Sequence, residues 1–301
     1  MKLRGIICLV TATLLLFLVG CASQTANEPS PDLVDDSSEK TSIESSLESS
    51  TDSDEDSLPA EKEGLSKEKT YSILFIGNSY TYYNDMPTAI FNKFAEAAGY
   101  NVEVTAITKG AYTLTQFANP ADEYGAKVEQ ALKGSKTYDF VILQEQSVRP
   151  ATEDAPAFYD AVRNLSDRIR NTGATPILYS TWGRKTGNST LDTYGWTNES
   201  MTWKLAASYQ AIGDELRIAV AHVGLAFYDI YTNQNPIDLY DADQSHPSYA
   251  GSYLSAATLF AKIFEVNPAT VQYTGSLSEE SASLLCEAAR KVVFETVSIP
   301  D

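Results

Sequence analysis

Three side chains whose types could carry acyl transfer stand out along the chain. Gly77-Asn78-Ser79-Tyr80-Thr81 is a glycine-led turn that offers a serine hydroxyl directly after an apolar run. Asp243-Gln244-Ser245-His246-Pro247 holds one of only two histidines in 301 residues, three positions after an aspartate. A serine can act as nucleophile when an imidazole takes its proton and returns it to the leaving group, while a carboxylate fixes the tautomer and stabilises the imidazolium. A DxxH turn supplies base and orienting acid from one loop. Each piece also has a plainer reading: Ser and Asn favour turns and helix starts because they bond free backbone N–H groups. The other histidine, His222, stands inside the apolar run Ala219-Val220-Ala221-His222-Val223 without a neighbouring acid, which reads as a hydrogen-bonded structural histidine and makes it the second choice of base.

The elements that must position these groups are legible. Strand-length apolar runs cover Ser72 to Ile76, Val102 to Ile107, Phe140 to Leu143, Pro176 to Ser180 and Ile218 to Val223, separated by segments of helical period. Strands alternating with helices imply a parallel sheet covered on both faces. The spacing predicts helices from Met86-Pro87 to a stop at Gly99, from about Ala155 to Asn171, from roughly Ser200 to Leu216, and from near Ser248 through Ile263. In such a sheet, ligands sit beyond the carboxyl ends of the strands, where Ser79 falls.

Composition narrows the classes. The chain has 40 acidic and 22 basic residues, a net charge of −18, and three cysteines, which excludes a collagen, a disulfide scaffold and a basic nucleic-acid binder. No CxxC or HExxH spacing supports a zinc site, and no P-loop pattern supports a nucleotide binder. Residues 1–21 open with Lys2 and Arg4, run apolar, and close on Leu18-Val19-Gly20-Cys21. The run is short of the ~20 residues of a spanning helix and reads as a signal peptide ending in a lipobox. By resemblance to bacterial lipoproteins, cleavage before Cys21 and lipidation of its sulfur follow. That places the protein at the cell membrane, lipid-anchored on the extracytoplasmic face. Residues 22–69 hold 14 acidic and 4 basic side chains among Ser, Thr and Pro, and are expected to be a disordered, self-repelling tether. Residues 70–301 are long enough for one domain. Cys286, in the helical stretch Ser283-Leu284-Leu285-Cys286, reads as a buried small hydrophobe.

The two blocks together resemble the SGNH (GDSL-like) hydrolases, specifically a branch of secreted bacterial proteins with a GNSYT first block, over nearly all of residues 70 to 270. The resemblance implies a three-layer α/β/α sandwich with a central, mostly parallel five-stranded sheet of flavodoxin-like type. It assigns the nucleophile to Ser79, the acid and base to Asp243 and His246, and an oxyanion-hole N–H to Gly110 in Thr108-Lys109-Gly110-Ala111, beside the N–H of Ser79. A glycine there also suits a turn of positive φ. The third block departs from the family's GxND and reads Leu143-Gln144-Glu145-Gln146-Ser147. Counting from the strand end places Gln146 over the family asparagine, with Gln144 the fallback; a held glutamine amide can serve as well. Glu145 is either an orienting acid or exposed. Asn78 replaces the commoner Asp, with no role assigned.

Tyr80, Tyr82, Tyr83, Tyr112, Trp182, Trp196 and Tyr249 are placed by sequence around the presumed cleft, and such rings suit sugar stacking. The expected activity is a serine esterase that removes acetyl or other short acyl groups from a carbohydrate outside the cell through an acyl-enzyme. It needs no metal or organic cofactor. Its partners are an acylated carbohydrate or small ester and the membrane reached through Cys21, with no nucleic acid. The alternatives are a non-catalytic glycan-binding lipoprotein on the same fold and a solute-binding lipoprotein, for which two similar lobes would be expected.

Overall fold

Five runs rich in aliphatic and aromatic side chains form the strands β1 (Thr70–Gly77), β2 (Asn101–Thr108), β3 (Phe140–Leu143), β4 (Thr175–Tyr179) and β5 (Ala219–Ala221). They make one parallel sheet in the order β2-β1-β3-β4-β5, the doubly wound, flavodoxin-like order. This computed structural model describes residues 64–233 and 236–299, all within the compact unit Glu61–Asp301. The signal segment, Cys21 and the tether up to residue 63 lie outside the described residues.

The helices are α1 (Ser79–Tyr82), α2 (Asn92–Ala97), α3 (Leu114–Ala118), α4 (Glu123–Lys133), α5 (Ala155–Arg170), α6 (Ser189–Tyr194), α7 (Asn198–Leu216), α8 (Val223–Thr232), α9 (Tyr249–Phe264) and α10 (Glu279–Phe294). They form two layers because strand side chains alternate between the faces. Ile73 and Phe75 pack with α2, α8, α9 and α10; Leu74 and Ile76 pack with α3, α4, α5 and α7. The three-layer α/β/α class expected from the sequence is therefore the observed one.

Several local expectations are corrected. The helix expected from Met86 winds its first six residues, Met86–Phe91, as a π-turn before α2, entered through Asn84 and Asp85 at φ of 55° and 51°. His222 is not a strand residue: β5 ends at Ala221, and His222 stands at the position before α8 without a side-chain bond to the helix's first N–H groups. The last residues assigned to the tether belong to the fold, since Leu65 packs on the core and Tyr71 Oη donates to Ser66 O at 3.1 Å. Cys286 is 3 % exposed on α10, its Sγ 3.4 Å from Tyr253 Oη, and burial pushes its thiol up to about 11.

Candidate active site

The carboxyl ends of β1, β2, β3 and β4 feed four loops into one cavity of about 380 Å³. Its wall includes Ser79 after β1, Gly110 after β2, Gln146 and Ser147 after β3, Arg184 after β4, and His246 before α9. This is the edge at which a doubly wound sheet binds ligands.

The turn after β1 is built by close approach. A Cβ on Gly77 would meet Thr81 Oγ1 at 2.4 Å and Gln144 Oε1 at 2.6 Å, so only glycine lets the strand pass this tightly packed amide. Asn78 is 2 % exposed and uses every polar group: Oδ1 accepts from Tyr80 N at 3.1 Å, Nδ2 donates to Tyr112 O at 3.0 Å, and its backbone N–H donates to Gln144 Oε1 at 2.8 Å. A carboxylate could keep the cap but not the donation to Tyr112, which explains an asparagine at this position.

The loop from Leu239 to Ser248 is closed like a hairpin, with Tyr240 bridging Pro247, Asp241 N donating to His246 O at 2.8 Å and Gln244 at φ 62°. Trp182 Nε1 donates to Ser245 O at 3.1 Å and Asn188 Nδ2 to Asp243 O at 3.0 Å. Asn84 Nδ2 reaches Pro247 O at 3.1 Å and Ser252 Oγ at 2.8 Å, tying the segment after the serine to the histidine loop. Two loops distant by 167 positions are thereby registered to each other.

Their meeting point is a Ser-His-Asp chain. Ser79 Oγ lies 2.8 Å from His246 Nε2, and His246 Nδ1 bonds Asp243 Oδ2. Burial pushes the Asp243 carboxyl up, but the His246 side chain and the backbone N–H groups of His246 and Ser245 outweigh it and hold the carboxyl below its ordinary value. The imidazole is stacked on Tyr83, with ring centres 4.2 Å apart and planes 9° from parallel, and meets the edge of Tyr80 at 5.5 Å.

The donors around the serine are equally defined. Neither Ser79 N–H nor Gly110 N–H donates to a protein acceptor among the described residues, and both residues line the cavity. The φ of Gly110 is not positive; that conformation falls on Ala111 at 62°, and the space beside Gly110 is limited by Tyr82 Oη, 3.2 Å from a built Cβ. Gln146 Oε1 accepts from Val148 N at 3.0 Å and Arg149 N at 3.1 Å, which orients the amide and leaves Nε2 for the cavity. Gln144 is elsewhere: it is fully buried, does not line the cavity, and its Oε1 holds Asn78 N and Thr81 Oγ1. Glu145 is buried and orienting, accepting from Leu114 N at 3.1 Å and Gln146 N at 2.6 Å, with Arg149 3.7 Å away. Burial pushes its carboxyl up to about 7 against the opposing pull of those groups.

His222 bonds Gln210 Oε1 at 2.7 Å, away from the cavity; burial, with Lys262 adding, pushes it down to about 4. Of the aromatics, Tyr80, Tyr82 and Tyr83 line the cavity. Trp182 is buried beneath Tyr80, stacked at 4.5 Å, and Tyr112 bonds Asp122. Trp196 stacks on Tyr194 in a separate groove, and Tyr249 faces Tyr273 and Ser276. These four do not line the cleft because their loops pack inward or toward other grooves. Sequence reasoning missed Arg184 and Ser147; their positions just past β4 and β3 were the available signal.

No protein-family model and no curated protein matches the sequence. Among solved structures, a DUF4886 family protein from Bacteroides uniformis superposes with a TM-score of 0.62 at 16 % identity, covering 77 % of this chain and 98 % of that one, and so shares the fold. A protein from Slackia heliotrinireducens assigned to the SGNH hydrolases is 31 % identical, with a TM-score of 0.56, over 65 % of this chain and the whole of that one. Identity at that level along a complete relative, on the same five-stranded parallel sheet, makes this chain a member of the SGNH hydrolase family.

Proposed function

We propose that the protein is a serine ester hydrolase that removes acetyl or other short acyl groups from a carbohydrate outside the cell. The observation that carries this reading is the 2.8 Å contact between Ser79 Oγ and His246 Nε2, backed by Asp243, at the wall of a cavity. Ser79 Oγ attacks the ester carbonyl as His246 Nε2 takes its proton. The same proton passes to the leaving alkoxide, and water then releases the acid from the acyl-enzyme by the reverse sequence. Ser79 N–H, Gly110 N–H and Gln146 Nε2 are the donors for the tetrahedral oxyanion, each worth on the order of 10²–10³ in rate. The modest cavity favours a short acyl group, and the tyrosines at its wall suit a sugar ring. The lipobox ending at Cys21 supports a lipid anchor on the outer face of the membrane.

Hydrolysis of p-nitrophenyl acetate by the full chain, beside folded Ser79→Ala and His246→Ala, tests the assignment. Turnover by the wild type with loss of about 10³-fold or more in each variant is expected. A wild type as inert as both variants on this and on acetylated sugars would replace the esterase with a glycan-binding protein. Activity confined to long-chain lipid esters would remove the carbohydrate.

A further inference from the structure

Arg184 stands in the wall of the same cavity, 8 % exposed, in the segment that leaves β4. One terminal nitrogen donates to Tyr80 Oη and the other to Ser147 Oγ at 2.9 Å, while the guanidinium carbon lies 5.2 Å over the Tyr80 ring. Its Nε has no partner, and among the described residues no carboxylate lies within 4.0 Å of the group. A guanidinium offers five N–H donors, and the two bonds to hydroxyls leave a free N–H on each terminal nitrogen. Buried charges are ordinarily paired, because neutral oxygens repay only part of the hydration lost. Here a full positive charge beside the nucleophile is met by two hydroxyls and a ring face.

Given the ester-hydrolase reading above, we infer that the missing counter-ion comes with the substrate: Arg184 binds a carboxylate carried next to the scissile ester, so that the substrates are acyl esters of sugar acids such as uronic acids. The planar fork matches the two oxygens of a carboxylate. A single cation suits a monoanion better than a phosphate dianion, since the adjacent Lys185 is already paired with Asp238 at 2.5 Å. The domain itself, with 26 acidic and 16 basic residues in 70–301, has no field that gathers anions at long range, so recognition rests on this local contact.

The test compares acetate release from O-acetyl glucuronic acid and O-acetyl glucose acetylated at the same position, using the full chain, Arg184→Gln and Arg184→Lys. The wild type is expected to favour the acid in kcat/KM by on the order of 10- to 100-fold, mainly through KM. Arg184→Gln should bring that ratio near one, and Arg184→Lys, which keeps the charge without the fork, should hold part of it. A brace that only positions Tyr80 and Ser147 would lower both substrates together and leave the ratio unmoved, which would overturn the assignment, as would a wild type without preference. Binding of free glucuronate against glucose to Ser79→Ala reads the anion site without chemistry. Arg184-dependent glucuronate binding with no hydrolysis of either ester would sink the esterase reading alone. Equal hydrolysis of both esters with no glucuronate preference would sink the anion site alone. Should Arg184→Gln not fold, the wild-type ratio and Arg184→Lys decide.

Discussion

A carboxyl group taken out of water keeps its proton to higher pH, and Glu145 is such a group: fully buried, bonded to two backbone N–H groups, and shifted up to about 7. In the unfolded chain a glutamic acid titrates near ~4.3. Between those values the unfolded state loses a proton that the fold retains, so the contribution is fully present at low pH and is lost as pH rises toward 7. The total is on the order of 3 kcal/mol. Glu145→Gln keeps an oxygen for Leu114 N and Gln146 N and cannot ionise. Urea unfolding of wild type and variant from about pH 4 to 8 should show the wild type falling relative to the variant across that window; parallel curves would mean that Glu145 titrates normally. At this scale the sequence spacing singled out Ser79, Asp243 and His246, which the structure brings within bonding reach of one another, because a rare histidine set three residues after an acid, at the mouth of a helix, pairs with that acid far more readily than it packs in a core. It did not separate Gln144 from Gln146, since two amides on one loop differ only in which side of the chain they leave. It passed over Arg184, because an arginine in a loop reads as solvated until the stack of Tyr80, Trp182 and Phe227 is seen beside it.

The junction of β1 and α1 sets Ser79 by contact rather than by turn type. Gly77 lies where any side chain would strike Thr81 Oγ1 and Gln144 Oε1, the atoms that anchor Asn78 and hence Ser79. Gly77→Ala must therefore displace the Gln144 amide, at a cost of about 1–3 kcal/mol. The same shift moves Ser79 Oγ away from His246, and misplacement by an ångström can cost ~10²-fold in rate. A lower urea midpoint together with a fall in p-nitrophenyl acetate turnover is expected, and unchanged values in both would show that the loop after β3 yields freely. The five strands were readable to within two residues: β1, β3, β4 and β5 because buried parallel strands are continuous apolar runs, and the edge strand β2, with no fully buried residue, from its β-branched Val102, Val104 and Ile107. α8 was not, since Val223–Thr232 carries the apolar run of β5 on across Gly224, and six of its residues are buried. Nor was the π-turn at Met86–Phe91, which keeps a helix-like pattern while winding differently.

The whole chain divides its acidity between a catalytic unit and the segment that precedes it. Residues 22–69 carry 14 acidic against 4 basic side chains. On the lipoprotein reading, acyl chains on Cys21 tie the protein to the bilayer. The acyl chains would do the holding: one chain binds a membrane marginally, at ~0.8 kcal/mol per buried CH₂, and two hold it stably. On that reading they attach at the Cys21 sulfur, distant in sequence from Ser79, Asp243 and His246. Cys21→Ser in the full chain should therefore move the protein from the membrane to the soluble fraction of the producing cell, while turnover of p-nitrophenyl acetate per molecule stays the same. A wild type already soluble would remove the anchor. A variant that stays with the membrane would shift the attachment from the sulfur of Cys21 to the apolar run before it.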